Sequence, residues 1–375
     1  MDEPRKYSFK QLAIIFLIIA VIILAALMLQ NFNSLSTLSN IASNPLYEAM
    51  SSGNVSEAGI QARNLLSSGS TLSPVDAMWA RLAAVDTYQG NATSSSAQET
   101  AISAFLETYH AAPDALTRAW IVNRLDKLLW DSGVSTMSET LSQDPEFNKL
   151  LASTSLQTVK NIAEYSYSIY PTSVAAYIAA GVSAQPIIDA YTEHGSVNAS
   201  SPSIVSTKTE VINWLTESDY SRSIEMQYAS SSPYGAATFI AEINSYRAYP
   251  VSALALIDPS YQSDANATYQ NIFNEYTSSL SQNSAPSALL IQIVDSAYFM
   301  QAYFLTIQNP IANKAQIIDD LHQGIALVQQ YPDQLQQFVA APQQNAQPSL
   351  NMKLMAPISP EYKSFLTSEG WNIGS

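Results

Sequence analysis

One uninterrupted apolar run dominates the architectures open to this chain. Residues Leu12 to Leu29 read LAIIFLIIAVIILAALML, eighteen residues without a charge or a hydrogen-bonding side chain. As a helix rising roughly 1.5 Å per residue, the run spans about 27 Å, close to the hydrocarbon thickness of a bilayer. Gln11 and Gln30 bracket it. Arg5, Lys6 and Lys10 precede it, and no charge follows until Glu48. The positive-inside rule then places residues 1–11 in the cytoplasm as a leader, and residues 12–29 through the lipid bilayer as a transmembrane helix. The remainder lies outside. This predicts a single-pass cell-membrane protein, N-terminus cytoplasmic, with the bulk of the chain extracytoplasmic.

Two other fates of the run compete with this one. A cleaved secretory signal has an apolar stretch of about 7–15 residues and an A-x-A site. This run is longer, and no small-x-small tripeptide precedes a polar residue near its end, so an uncleaved anchor is expected. The short charged leader and N-terminal helix also resemble the pilin class, with cleavage between Lys10 and Gln11. That resemblance implies a filament subunit whose apolar helix forms the filament core. The Phe and Glu that bacterial pilins carry at the start of the mature helix are absent. N-terminal sequencing separates anchor (intact Met1) from filament (new terminus at Gln11).

Charge fits the anchored topology. Thirteen of the 16 basic and 29 of the 31 acidic residues follow residue 11, leaving +1 before the run and −16 after it. A formal net charge of −15 argues against nucleic acid as a partner, because that role needs a basic patch to replace condensed counterions. Outward acidity suits a soluble surface domain and disfavours docking on anionic lipid. Only 13% of residues are charged, against roughly 25% in an average soluble domain. Amides, hydroxyls and tyrosines must therefore form the exterior.

The rest of the chain reads as all-α, with about a dozen helices. Residues 30–44 are an uncharged Ser/Asn stalk. From Pro45 on, cap-plus-proline signals start helical patterns, and Gly or the next Pro stops them. Asn54-Val-Ser-Glu57 resembles a capping box, and Ser73-Pro74, Pro113, Asp144-Pro145, Pro171, Pro186, Ser201-Pro202, Ala285-Pro286 and Asn309-Pro310 each open a segment. No Asn-Gly or Asp-Gly hairpin turn occurs. The segment at 286–307 is the most apolar outside the membrane run. Gln292, Asp295, Ser296, Gln301 and Thr306 interrupt it, which predicts a core helix, since a buried Asp is expensive in lipid.

Between residues 45 and 113 the pattern resembles the tetratricopeptide helical-hairpin repeat. Ala58 and Ala62 stand where that family's helices cross. Trp79, Leu82 and Ala83 would pair with Ala101 and Phe105, with Pro113 in the closing-proline place. Pro74 to Pro113 is 39 residues, where the repeat period is about 34. The resemblance implies an α-solenoid or helical-bundle ectodomain. Residues 45–193 form the expected helical-repeat subdomain, 207–340 a second helical subdomain beyond the polar stretch 194–206, and 341–375 an extended tail closed by a short helix at 361–368.

Catalytic chemistry is poorly supplied, so no enzyme activity, cofactor or metal is expected. There is no Cys, and the three His residues form no zinc motif. Neither a nucleophile elbow nor a phosphate-binding glycine loop is present. Asp319, Asp320 and His322 read as a solvated helix face. The acid pairs Glu48/Glu57 and Glu210/Glu217 would serve glycoside hydrolysis only if they faced each other across a cleft. Tyrosine, at 21 residues, is the real excess. Tyr165, Tyr167, Tyr170 and Tyr177 form a candidate stacking surface for a partner chain or glycan, because the ring is apolar and the tip polar. A second group comprises Tyr220, Tyr228, Tyr234, Tyr246 and Tyr249. Sequons at Asn54, Asn91, Asn198 and Asn266 are candidate glycosylation sites on the external side.

The expectation is a membrane-anchored scaffold or protein-binding subunit of a cell-envelope or surface-appendage assembly. Its partners are proteins, and homo-oligomerisation is left open. The alternatives are the pilin-like filament subunit and a cell-wall glycan-binding or glycan-hydrolysing surface protein.

Overall fold

The computed structural model describes residues 45–69, 72–88, 95–131, 138–281 and 286–331. The expected leader, the apolar run 12–29, the stalk, the tail and Asn91 lie outside the described residues. Those that are described form thirteen α-helices joined by turns and three short 3-10 segments, with no strand among them. The all-α reading holds.

The helices are α1 (Pro45–Ser51), α2 (Val55–Ser67), α3 (Pro74–Asp86), α4 (Ser95–Ala111), α5 (Ala115–Asp131), α6 (Glu139–Gln143) and α7 (Ser155–Ile169). They continue as α8 (Ser173–His194), α9 (Pro202–Glu225), α10 (Ala236–Ile257), α11 (Gln262–Ser281), α12 (Ala288–Gln308) and α13 (Lys314–Gln330). Local chemistry sets many starts. Side-chain oxygens of Asn54, Ser73, Ser138, Thr154, Thr172, Ser201 and Ser287 accept from the backbone N–H three residues on, satisfying donors that a helix N-terminus leaves free. Gly195, in the left-handed conformation at φ 67°, ends α8.

Pro186 opens no helix, contrary to its sequence reading. It lies inside α8, on an exposed position, with Ile187 and Ile188 fully buried beside it. Tertiary burial on both sides carries the helix through the missing hydrogen bond. Pro250 likewise lies within α10.

α8 and α10 are the central pair. Their small residues are buried around most of the helix circumference, and they pack on each other as well as on α7, α9, α11 and α12. Close approach depends on Gly181. A Cβ there would come within 2.4 Å of the Trp130 ring, which itself stacks edge-on against Tyr249 at 5.8 Å. Gly181→Ala should destabilise the fold by about 1–3 kcal/mol, as overpacking does, read as a lower chemical-denaturation midpoint.

Across the polar stretch 194–206, α8 and α9 pack along each other, and one apolar cluster runs from Met78 to Ile325. The chain also closes on itself. Gly53, at φ +74° in the turn between α1 and α2, would place a Cβ 2.4 Å from Cβ of Ala288 at the start of α12. Leu46, Met50, Ala58, Ala62 and Ala83 share a cluster with Tyr234, against which Leu289 packs. An open solenoid makes contacts only between neighbouring repeats, so these contacts define a closed helical bundle.

α12 is the one described helix long and apolar enough to cross a membrane. Protein surrounds much of it: Leu290, Ile291, Val294, Asp295, Gln301 and Phe304 are all buried, and it packs against α10, α11 and α13.

Candidate functional site

At the centre of the bundle sits a charge cluster that no motif announces. Arg124 of α5 places Nε 3.3 Å from Oδ1 of Asp86 on α3, and its Nη atoms contact both carboxylate oxygens of Glu242 on α10, Nη2 to Oε2 at 3.1 Å. Tyr234 donates to Asp86 Oδ2 at 2.7 Å. The side chains of Arg124, Asp86 and Glu242 are 14%, 14% and 11% exposed. Burial holds the Asp86 carboxyl above its ordinary range, against the pull of Arg124 and Tyr234. Burial also opposes the guanidinium charge, but Glu242 and Asp86 outweigh it and keep Arg124 firmly protonated. Glu225, 1% exposed, accepts from the backbone N–H of Ser173 at 2.8 Å and from its hydroxyl; burial pushes its carboxyl up to about 7. A planar guanidinium between two carboxylates ties three helices together. Largely buried, it serves as a clamp.

The tyrosines of α7 divide by their partners. Tyr165 meets Tyr109 of α4, hydroxyl to hydroxyl at 2.7 Å, and both donate to Oε2 of Glu146 at 2.7 Å. His110 Nε2 lies 2.7 Å from Oδ2 of Asp144, whose other oxygen accepts from the N–H groups of Glu146 and Phe147. The Phe147 ring is edge-on to Tyr109 and Tyr165. Hydrogen bonds from Tyr165 and Tyr109 hold the Glu146 carboxyl below its usual value. At Asp144 burial pushes the pKa up, but the bonds from His110, Phe147 and Glu146 prevail and lower it. This network latches segment 144–150 onto α4 and α7, so the Tyr165 hydroxyl is already engaged.

Tyr167 stands differently. It donates to Glu217 on α9 at 2.9 Å, and its ring is edge-on to Trp214 at 5.6 Å. Trp214 and Tyr167 are half-buried, whereas Tyr220, farther along α9, is 68% exposed. Tyr170, at the C-terminus of α7, is also half-buried. Tyr177 is fully buried in α8 and leaves the candidate stacking surface, because its helix is enclosed on nearly every side. Of the second tyrosine group, Tyr234 belongs to the charge cluster and Tyr249 is half-buried against Trp130 and Phe304.

The remaining candidates place as follows. Asn54, Asn198 and Asn266 are exposed. Glu210 pairs with Lys160 and accepts from Ser183, and Glu57 accepts from Gln61. Asp319 and His322 are exposed as expected, but Asp320 is 1% exposed, so it does not belong to a solvated face. Two clefts open at the surface, one between α5, α6 and α7 and one between α10, α11 and α12; no carboxylate lines either. Among the described residues no group of His, Asp or Glu is arranged to hold a metal ion.

Sequence reasoning passed over Arg124, Asp86, Glu242, Tyr109, Glu146 and Trp214. Only the spacing of Trp214, Glu217 and Tyr220 along one helix was available as a signal. Comparison with protein-family models, curated protein sequences and solved structures finds no match to this chain.

Proposed function

We propose that the helical bundle is the extracytoplasmic, protein-binding part of a membrane-anchored scaffold subunit in a cell-envelope or surface-appendage assembly. The strip formed by Tyr167, Trp214, Glu217 and Tyr220 is its contact face. The observation that carries this reading is Tyr220, a large aromatic 68% exposed on the same helix as Trp214 and Glu217, both of which Tyr167 meets. Exposed Tyr and Trp anchor protein interfaces because they offer large contact area at little conformational cost. Acidic groups among them favour a partner with a basic segment, whose Lys or Arg would find both a carboxylate and an aromatic face. The anchor would raise the local concentration of the face near membrane-bound partners.

Two measurements test this. A photo-crosslinking residue at position 220 should capture one defined envelope protein in native membranes, and Trp214→Ala should reduce capture at least tenfold. Equal capture from position 60, on α2, would refute the contact face. For topology, Ser196→Cys supplies the only thiol in a chain without cysteine. A membrane-impermeant maleimide should label it on intact cells; labelling only after lysis refutes the external orientation.

A further inference from the structure

Two side-chain bridges join α7 to α9 in one register. Lys160 of α7 contacts Glu210 of α9, and seven residues farther along both helices Tyr167 donates to Glu217 at 2.9 Å. The two helices therefore run parallel and level with each other. Both pack on α8, whose Ser183 donates to Glu210 at 3.1 Å. Seven residues make about two turns, so Glu210 and Glu217 stand on one face, about 10.5 Å apart along the helix axis. Trp214 falls between them, and its ring meets Tyr167. Charge on this face is unbalanced. Glu164 and Glu210, 43% and 41% exposed, share the more buried Lys160, and the exposed Glu217 is partnered by a neutral hydroxyl. Lys208 and Arg222, the other cations of α9, turn to Asp258 and Asn244 instead. Exposed Leu156, one turn before Lys160, and Tyr220 mark the two apolar ends. In the shared register these ends are about 21 Å apart.

From this geometry we propose that the partner docks along α7 and α9 as one amphipathic α-helix of about four turns, carrying Lys or Arg at two positions seven residues apart with an apolar residue between them. The inference rests on the contact face proposed above and names what fits it. Carboxylates in excess of cations call for a basic partner, and their spacing selects its backbone. A helix repeats the spacing of about 10.5 Å at i and i+7 on a single face, so its two cations reach Glu210 and Glu217 together. The apolar residue at i+3 or i+4 then lies on the Trp214 and Tyr167 rings, as anchors do when a helix fills a groove.

An extended segment fits less well. It covers the same distance in about three residues, which puts its two cations on opposite faces of the strand. One of them would pair and the other would point away. The cation at Glu217 also gains the neighbouring aromatic faces.

The test uses full-length protein in its native membranes, with a photo-crosslinking residue at position 206, level with Leu156, or at position 220. Peptide mass spectrometry of the captured protein should place the two attachment points in one segment, about 14 residues apart, the helical count for about 21 Å. An extended segment would give about six. Attachment points six residues apart, attachment in two unconnected segments, or capture from 220 without capture from 206 overturns the docked helix and leaves the contact face standing. No capture from 220 overturns both. Glu210→Gln with Glu217→Gln should lower capture from both positions at least tenfold, and unchanged capture overturns the charge pairing. Glutamine keeps an acceptor for Tyr167 and Ser183, so this double variant retains the fold.

Discussion

Replacing Arg124 with methionine should lower the unfolding free energy by about 3–5 kcal/mol at neutral pH, the loss expected when a buried ion pair forfeits one partner. The methylene stem is kept, so the loss reflects charge more than volume. Asp86 and Glu242 would then face each other in the core without a cation, and their desolvation penalty would no longer be offset. Because the penalty falls on ionised carboxylates, the loss should shrink at acid pH, where Asp86, already held above its ordinary range by burial, takes up a proton. Replacing Asp86, Arg124 and Glu242 together with leucine, methionine and leucine should recover much of the stability, since apolar groups of similar volume often substitute for a buried ion cluster. Chemical denaturation of the parent and these variants decides the matter. A loss below about 1 kcal/mol for Arg124→Met, the range of solvent-exposed pairs, would mean that water reaches the clamp.

Stability should peak near pH 4–5 and fall toward pH 8, the reverse of the behaviour of a protein whose carboxylates are stabilised by folding. Burial pushes the carboxyls of Glu225, Asp295 and Asp320 up to about 7. Burial also raises Asp126, whose two oxygens have no hydrogen-bond partner among the described residues. Unfolded carboxyls titrate near pH 4. Between that value and about 7 the folded state therefore binds more protons than the unfolded one, and the unfolding free energy decreases as pH rises. The full burial penalty applies once pH exceeds the folded pKa. For each such group it is on the order of a few kcal/mol across this window, since a tenfold change in a group's acidity corresponds to about 1.4 kcal/mol. On the acid side, Glu99, Asp144 and Glu146 have lowered pKa values, and their contribution disappears as pH falls below about 4. Melting temperature recorded from pH 4 to 8 tests the sign. Asp295→Asn with Asp320→Asn should flatten the profile between pH 5 and 8. A melting temperature that rises across that interval in the parent protein would contradict the assignment.

The legible part of this fold lies in its helix starts. Asn54, Ser73 and Ser201 cap helices because a short side-chain oxygen followed by an apolar periodicity is a local arrangement that needs no tertiary partner. Leu116, Trp120, Leu125, Leu128 and Leu129 recur at helical spacing for the same reason, and all but the partly buried Leu116 are buried. Pro186 misled because a proline's local preference for starting a helix was weaker than the burial of Ile187 and Ile188. Tyr177 misled because spacing along the chain groups it with Tyr165, Tyr167 and Tyr170, while Pro171 sends it onto a different helix at the centre of the bundle. Of the contact face, Tyr167 was visible as a surface aromatic. Its neighbours Trp214 and Glu217 come from another helix 47 and 50 residues on, a pairing that no local pattern encodes.

By itself, the sequence determined that the described chain is helical, where many of its helices begin, and that the charge after residue 11 is overwhelmingly acidic. These follow from nearest-neighbour geometry and from composition, which act over a few residues or over none in particular. Its eighteen-residue apolar run sets an expectation of anchoring by the same length argument. Only the tertiary structure decided that α8 and α10 lie at the centre, that the turn at Gly53 meets the start of α12, and that Arg124 stands between Asp86 and Glu242. Each of these joins residues dozens to hundreds of positions apart. Apolar burial drives such encounters but is non-directional. Which helices meet is therefore settled by side-chain shape at the crossings, in small residues such as Gly181, and by pairings of buried charge such as Arg124 with Asp86 and Glu242.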